Sequence, residues 1–390
     1  MNASEARDAR DGNGGRRKPR IAVVGGGIGG LVLAGLLHRH GIACTLYERD
    51  AAPDARAHGG SLDLHPESGL RALEELGLGE EFRAVARPEG EDLRILAPDG
   101  RLLGRRAPEP GAGTRPEVDR GALRTLLLSA VPDTAVVWGG HVTGVRPLAG
   151  GGHRLALADG TWAQADVLVG ADGGRSRVRP LLTDARPSHL SAYLQLTIID
   201  ADRRRPDIAR FVGPGSLMAL GDNINLGAQR SGDGTIRVSV TVRADADWTG
   251  LQRFEDGGWT DTLARLHALF PGWAPELTAL LDACDPGSLV ARNIEALPVG
   301  IRWPSRPDVT LLGDAAHLMP PVGEGANQAM LDGVMLARAL AEHADDHAAA
   351  IAAYEDEMFT RTAGIAAESA FLDRTGLAPD AAERMAELFA

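Results

Sequence analysis

The sequence predicts an α/β fold with a parallel-sheet domain built from discontinuous segments, a second domain carrying a mixed β-sheet, and C-terminal bridging helices. Three observations lead there. A short apolar strand, Arg20 to Val24, runs into a glycine-rich turn and then a helical apolar pattern, the opening of a βαβ unit. Between Ser188 and Val299 the pattern changes to the two-residue alternation of strands. Late in the chain, over about Ala348 to Phe371, it is helical again. The chain has 390 residues, room for two or three domains.

Composition narrows the chemistry before any motif is read. Among 41 basic residues Lys18 is the only lysine, so Schiff-base catalysis and a phosphate-gripping P-loop lysine are excluded. A formal net charge of -12 disfavours nucleic acid and anionic membrane as partners. The one basic cluster, Arg16, Arg17, Lys18 and Arg20, lies in a polar tail (residues 1–20) expected to be disordered. Two cysteines, Cys44 and Cys284, cannot staple a chain of this size, and no Cys/His cluster suggests a metal. Arg16-Arg17 ahead of Ile21 to Leu37 superficially resembles a twin-arginine export signal. That run holds six glycines, however, and leads into another strand, so the expectation is a cytoplasmic protein without a membrane span.

The elements follow in order. Gly25, Gly27 and Gly30 satisfy GxGxxG between the first strand and a helix reaching His40. The first glycine permits the tight turn, the second lets a pyrophosphate approach the backbone, and the third allows close helix–strand packing. The helix amino terminus adds N–H groups and a positive dipole end. Strand two, Cys44 to Glu48, ends in a carboxylate 21 residues after Gly27, placed to bind a ribose diol. This is a Rossmann-like dinucleotide site, and the half-motif alone does not separate NAD from FAD.

Further along stand Gly59-Gly60-Ser61-Leu62-Asp63-Leu64-His65 before a helix at about Pro66 to Leu76, and a helix from Arg120 to Ala130. Asp166 to Gly170 reads as a buried strand leading through Asp172-Gly173 into an arginine-rich helix start. Leu311 to Pro321 contains Gly313-Asp314-Ala315-Ala316-His317, followed by Gly323-Glu324-Gly325-Ala326-Asn327 and a helix from about Asn327 to His343. The pairs Val142 to Arg146 and Arg154 to Ala158, with the Asp159-Gly160 turn, read as an antiparallel excursion. Strands then follow at Tyr193 to Ile199, Leu217 to Leu220, Ile224 to Gln229 and Ile236 to Arg243, with a hairpin turn at Gly232-Asp233-Gly234. A helix begins in Leu263 to Phe270.

The three ordered motifs at positions 25, 172 and 314 resemble the class A flavin monooxygenases of the p-hydroxybenzoate hydroxylase type, over about Ile21 to Phe359. Within them, GGSLDLH, GDAAHLMPP and Tyr354 to Phe359 are most similar to the tetracycline-inactivating flavin monooxygenases. The resemblance implies bound FAD and a transient NADPH or NADH, since no second GxGxxG is present. It divides the chain into an FAD-binding domain (21–80, 113–187 and 300–340), a substrate-binding domain (81–112 and 188–299) and C-terminal helices (341–390).

By the same resemblance Glu48 would hold the adenosine ribose and Arg49 the adjoining adenine or phosphate region. Gly60, Asp63, Arg120, Asp172, Asp314, Gly325, Ala326 and Asn327 would complete the FAD site, and Arg56 would meet NAD(P)H. The alternative for Arg120 and Arg124, four apart, is a solvated helix face, while His317, ending the Gly313 to His317 run, reads as structural rather than as a base. The substrate would meet Gln195, Ser216, Arg237 and Pro321. Where the tetracycline-inactivating enzymes carry an arginine and a histidine, this chain has Ser216 and Arg237, and its Pro321 to Gly325 turn is one residue shorter. Tetracycline itself is thereby in doubt. Arg237 could pair with a phenolate or carboxylate, or be a solvated strand residue.

The implied function is an NAD(P)H-dependent FAD monooxygenase hydroxylating an aromatic or polycyclic phenolic or enolic natural product, through a flavin C4a-hydroperoxide. Its partner would be that small molecule, the protein itself a monomer or weak homodimer. Two alternatives stay open: a Baeyer-Villiger-type or epoxidising oxygenase, and a flavin-fold binding protein without turnover. Halogenation is disfavoured by the missing internal lysine and WxWxIP segment.

Overall fold

The computed structural model describes residues 18–55, 59–108, 114–245, 248, 254 and 258–388. Ile21–Val24 is buried at all four positions and sits in the middle of a five-stranded sheet. The order is Val309–Leu311, Val167–Gly170, Ile21–Val24, Cys44–Glu48, Val136–Trp138, every neighbouring pair parallel. A continuous apolar run, rather than an alternating one, is what a strand covered on both faces requires.

Two helices lie together beside this sheet, Ile28–Arg39 and Glu324–Glu342. Their approach is close: a Cβ on Gly29 would stand 2.6 Å from the Ala329 carbonyl oxygen, and one on Gly333 2.9 Å from that of Gly29. Sequence-distant segments therefore meet at the carboxyl ends of the parallel strands, where open α/β sheets place their ligands.

The second sheet has seven strands in the order Val290–Ala296, Ser188–Ile198, Ile236–Val242, Ile224–Arg230, Ser216–Gly221, Leu93–Leu96, Leu102–Arg106. It is mixed, because Ser216–Gly221 and Leu93–Leu96 run parallel while the other neighbours are antiparallel. Leu194, Leu196, Leu226, Val238 and Val240 point to one face and form a core with Leu277, Leu280 and Leu281. Alternation sends Gln195, Ser216, Gln229 and Arg237 to the other face. The 30-residue helix His347–Gly376 packs on Glu324–Glu342, and Ala381–Leu388 then packs on Ile95 and Leu220 of the seven-stranded sheet.

Several expectations need correcting. No helix follows the Asp172-Gly173 turn. The chain makes only a short 3-10 turn at Arg179–Leu181, because Ser176 Oγ accepts from the amides of Val178 and Arg179 and Pro180 removes a donor. The helix expected from Asn327 starts at Glu324, placing Gly325 and Ala326 in its first turn. That expected from Leu263 starts at Trp259, and the segment 66–76 divides into a wide turn, Pro66–Leu70, and an α-helix, Arg71–Leu76. The excursion after Val142–Pro147 and His153–Leu157 has a third strand, Trp162–Ala165. Helix Gly79–Val85 straddles the expected boundary at 80/81, and its Phe82 packs in the parallel-sheet core. Among the described residues no helix is long and apolar enough to cross a membrane, and no group of side chains could hold a metal ion.

Candidate active site

The glycine turn is built for a ligand rather than for packing alone. Gly25 has φ +107°, and a Cβ there would collide with the Ala171 carbonyl oxygen; one on Gly30 would collide with that of Gly25. Gly27 differs: a Cβ there would meet nothing within 4 Å. The space lies over the start of helix Ile28–Arg39, which has no side-chain cap. Unfilled N–H groups beside open space are an anion site. Glu48 is buried at the end of its strand, with Oε2 accepting from Gly26 N at 2.7 Å and Oε1 from Asp50 N at 2.9 Å. It is locked against the turn, while Arg49 beside it is exposed.

A second group gathers around Asp63. Ser61–Asp63 pairs antiparallel with Glu117–Asp119, and Arg120 N donates to Gly60 O at 2.9 Å. His65 Nε2 lies 3.0 Å from Asp63 Oδ2. A Cβ on Gly323 would stand 3.4 Å from Asp63 Oδ1, and one on Gly325 3.7 Å from Asp314 Oδ1. Asp63, Asp314 and the uncapped start of helix Glu324–Glu342 thus converge. Asn327 is fully buried and spent on the protein: Oδ1 accepts from His65 N (2.9 Å) and Ser68 Oγ (3.3 Å), and Nδ2 donates to Asp63 O (2.8 Å) and Gly323 O (3.2 Å). Its side chain clamps the loop and has no donor or acceptor left for a ligand.

The Asp172 loop forms the third group. Asp172 Oδ2 accepts from Arg177 N at 2.6 Å, while Oδ1 is buried with no partner among the described residues. Burial pushes this carboxyl upward, against the opposing pull of Ser176 and the Arg177 amide. Arg179 is buried and donates to the carbonyls of Ala315 (2.7 Å), Gly174 (2.8 Å), Asp314 (3.0 Å) and Gly173 (3.4 Å). It ties the Asp172 loop to the Asp314 helix, a role invisible in the sequence because all four partners are backbone atoms and two of them lie in a distant segment.

The sheet face opposite holds the remaining side chains. Arg237 stands directly across from Thr197 and Gln229, and Gln229 from Ser216. Gln195 lies opposite Ser239, two residues along from Arg237. The half-buried Arg237 guanidinium lies against Gly59, where a Cβ would collide with it, and its Nε is buried without a partner. Among the described residues no carboxylate pairs with it. It is therefore not a solvated strand residue. Arg124 is not on a solvated face either: it is buried, donates to Pro53 O at 2.8 Å and stacks over Trp138. Arg120 and Pro321 are exposed. Arg56 lies outside the described residues.

Beneath the Asp314 helix, fully buried Asp332 accepts from Gly313 N (2.8 Å), from His317 Nε2 at 2.6 Å and from Arg361. Burial alone would raise its carboxyl, but His317, Arg361 and the Gly313 amide hold it below the ordinary value. His317 is thus structural. Cys44 offers no nucleophile, since burial pushes its thiol up to about 11.

These residues fit FAD. The opening over Gly27, the two uncapped helix starts and the orphaned Asp172 Oδ1 are the acceptor-and-donor set that a flavin dinucleotide needs. The comparisons agree. A family model described as "FAD binding domain" matches residues 18–104 and 302–369. The chain is similar to a 3-amino-4-hydroxybenzoate 2-monooxygenase of Streptomyces platensis, with 34% identity over 87% of this chain and 84% of the relative. Among solved structures it shares its fold with HpxO of Klebsiella pneumoniae complexed with FAD and uric acid (TM-score 0.78, 23% identity, 95% and 92% of the two chains). It shares it also with tetracycline destructase Tet(51) (TM-score 0.72, 18% identity, 96% of each). The chain belongs to the FAD-dependent monooxygenases, enzymes whose usual reductant is NAD(P)H.

Proposed function

We propose that this enzyme uses NAD(P)H and O2 to hydroxylate a phenolic or enolic aromatic or polycyclic small molecule that presents an anionic oxygen. The single observation carrying the substrate class is Arg237: a half-buried guanidinium without a carboxylate partner among the described residues, facing the Gly59-Gly60 loop. A cation in that condition gains from an anionic ligand, because its Nε has lost water that no group among the described residues replaces. Gln195, Ser216 and Pro321 would orient the rest of the substrate.

In this reading residues 21–80, 113–187 and 300–340 bind FAD, 81–112 and 188–299 bind substrate, and 341–390 bridge them, with helix Gly79–Val85 remaining on the FAD side. Gly25, Gly27, Gly30 and the helix start hold the pyrophosphate, Glu48 the ribose and Arg49 the adenosine end. Asp63, Arg120, Asp172, Asp314 and the Gly325-Ala326 amides take the remaining polar groups of the cofactor. Bound FAD, once reduced, activates O2 for transfer of one oxygen atom, so the protein supplies orientation and exclusion of water and no nucleophile. The test is NADPH and NADH oxidation by the flavin-loaded protein across phenols, salicylates, anthraquinones and tetracyclines, with product mass and NMR. An oxygenated ring is expected from an anionic member of the panel, and Arg237→Leu should raise its KM by roughly ten- to a hundredfold with a smaller change in kcat. A ring-expanded ester or an epoxide would move the reading to the other oxygenase chemistries. A flavin-loaded protein that oxygenates nothing would sink it.

A further inference from the structure

Glu117 is the most unusual carboxyl near the site, and none of the functional readings uses it. It is 9% exposed and lies directly across the two-stranded ladder from Asp63. Its Oε2 accepts from Ser61 Oγ, its Oε1 from Gln229 Nε2 at 3.4 Å. Ser61 N in turn donates to Gln229 Oε1 at 3.4 Å. Three separate pieces of chain meet here: the strand leaving the Gly59-Gly60 loop, the strand before Arg120, and the substrate-facing side of the seven-stranded sheet.

Among the described residues, three charged side chains act on Glu117. Asp63 faces Glu117 from the first strand and Asp119 flanks it on its own; Arg87 approaches from the segment before the 3-10 turn Pro88–Glu91. Arg87 donates to Ser61 Oγ at 2.8 Å, to Asp119 Oδ1 at 3.3 Å and to Arg230 O at 3.1 Å. One guanidinium thus pairs with Asp119 and reaches Glu117 only by charge and through Ser61. Asp63 is further engaged with His65. Burial, helped by Asp63 and Asp119 and opposed by Ser61 and Arg87, pushes the Glu117 carboxyl up to about 7. Both protonation states can be satisfied. Ionised, the carboxylate accepts from Ser61 and Gln229. Protonated, it can donate to Ser61 Oγ, whose own proton then turns to Val118 O at 3.3 Å. Arg87 also lines a concavity of about 580 Å3 with Arg230 and Ser231, which gives the cluster contact with solvent away from the substrate face.

We propose that Glu117 is a positioning residue whose proton fastens the strand Ser61–Asp63, and with it the Gly59-Gly60 loop, to the substrate sheet, and whose ionisation loosens that strand. The direction follows from charge. An ionised Glu117 stands directly opposite Asp63 on paired strands, where like charges destabilise the pairing. The proposal deepens the FAD reading, on which its cofactor-release arm rests.

The test is the rate of FAD release from the holoprotein between about pH 5.5 and 8.5, in wild type, Glu117→Gln and Ser61→Ala. Wild type should release FAD roughly three- to tenfold faster above the midpoint than below it. The midpoint should lie near the carboxyl's own value, about 7. Glu117→Gln, an uncharged mimic of the protonated side chain, should abolish the transition. Ser61→Ala, which removes a donor to the ionised form, should move the midpoint upward. A flat wild-type profile, or an unaltered transition in Glu117→Gln, overturns the proposal. Should the protein bind no FAD, the FAD reading fails separately. Amide hydrogen exchange of Ser61–Asp63 in the apoprotein, corrected for intrinsic pH dependence, then reads the same fastening. Exchange that rises across the midpoint in wild type and not in Glu117→Gln supports it, and identical profiles overturn it.

Discussion

Gly27 and Gly30 sit three residues apart in one turn, yet a methyl group means something different at each. At Gly30 it would collide with the Gly25 carbonyl oxygen, backbone against backbone, so the turn must open. Gly30→Ala should destabilise the apoprotein by about 2–4 kcal/mol and abolish FAD retention. At Gly27 the φ of -72° suits any residue and the space is empty. Gly27→Ala should leave apoprotein stability within about 0.5 kcal/mol while weakening FAD by tenfold or more, because the methyl would take the space proposed for a phosphate oxygen. Urea denaturation of the apoproteins and FAD titration separate the two outcomes. Equal FAD affinity in Gly27→Ala and wild type would mean that no pyrophosphate lies over that turn.

Between elements, the tie that matters most is Arg179, which joins the Asp172 loop to the Asp314 helix through four carbonyl oxygens. Replacing it with methionine keeps much of the volume and leaves those acceptors unpaired. Arg179→Met should cost about 2–4 kcal/mol in urea denaturation and lower FAD affinity more than it lowers secondary structure by circular dichroism. The contrast with the glycine turn shows what the sequence makes legible. GxGxxG, the acid at Glu48 and the Gly313 to His317 run are local patterns, each needing one stretch of chain to carry its meaning. Arg179 looked like one arginine in a basic helix start. That helix is absent because Ser176 and Pro180 divert the backbone, and the arginine serves carbonyls more than 130 residues away. Glu117 was hidden for the same reason: its burial depends on Gln229, Arg87 and Ser61, brought together only by the fold. Arg237 was legible as a residue of a strand expected to face substrate, but the lack of a carboxylate partner among the described residues was not.

Across the whole molecule the two sheets share one long helix, and pH and packing act on them separately. Glu117 holds its proton more tightly folded than at the ordinary 4.5, so its contribution is fully present below that value. It is lost as pH rises through about 7. Asp332 has the opposite sign: its carboxyl is held down, so its contribution is present above 3.8 and lost in acid. Neither group belongs to the contact made by the chain's last helix, Ala381–Leu388, which closes the face that Ser216 shares with Leu220, through Ala381, Ala382, Met385 and Ala386 against Ile95 and Leu220. Arg243 reinforces the approach by donating to the carbonyls of Arg374 and Leu377, both at 3.3 Å. Because that helix meets the substrate sheet and the preceding one meets helix Glu324–Glu342, the C-terminal segment should transmit stability between the sheets without contributing to the cofactor site. Met385→Ala empties the centre of this contact and should cost about 2–4 kcal/mol, with FAD affinity at neutral pH unaltered. Chemical denaturation followed both by flavin fluorescence and by circular dichroism distinguishes the possibilities. If the sheets unfold as one unit, both probes shift to lower denaturant together in the variant. If the circular dichroism midpoint alone shifts, the seven-stranded sheet unfolds separately and the long helix does not couple the two.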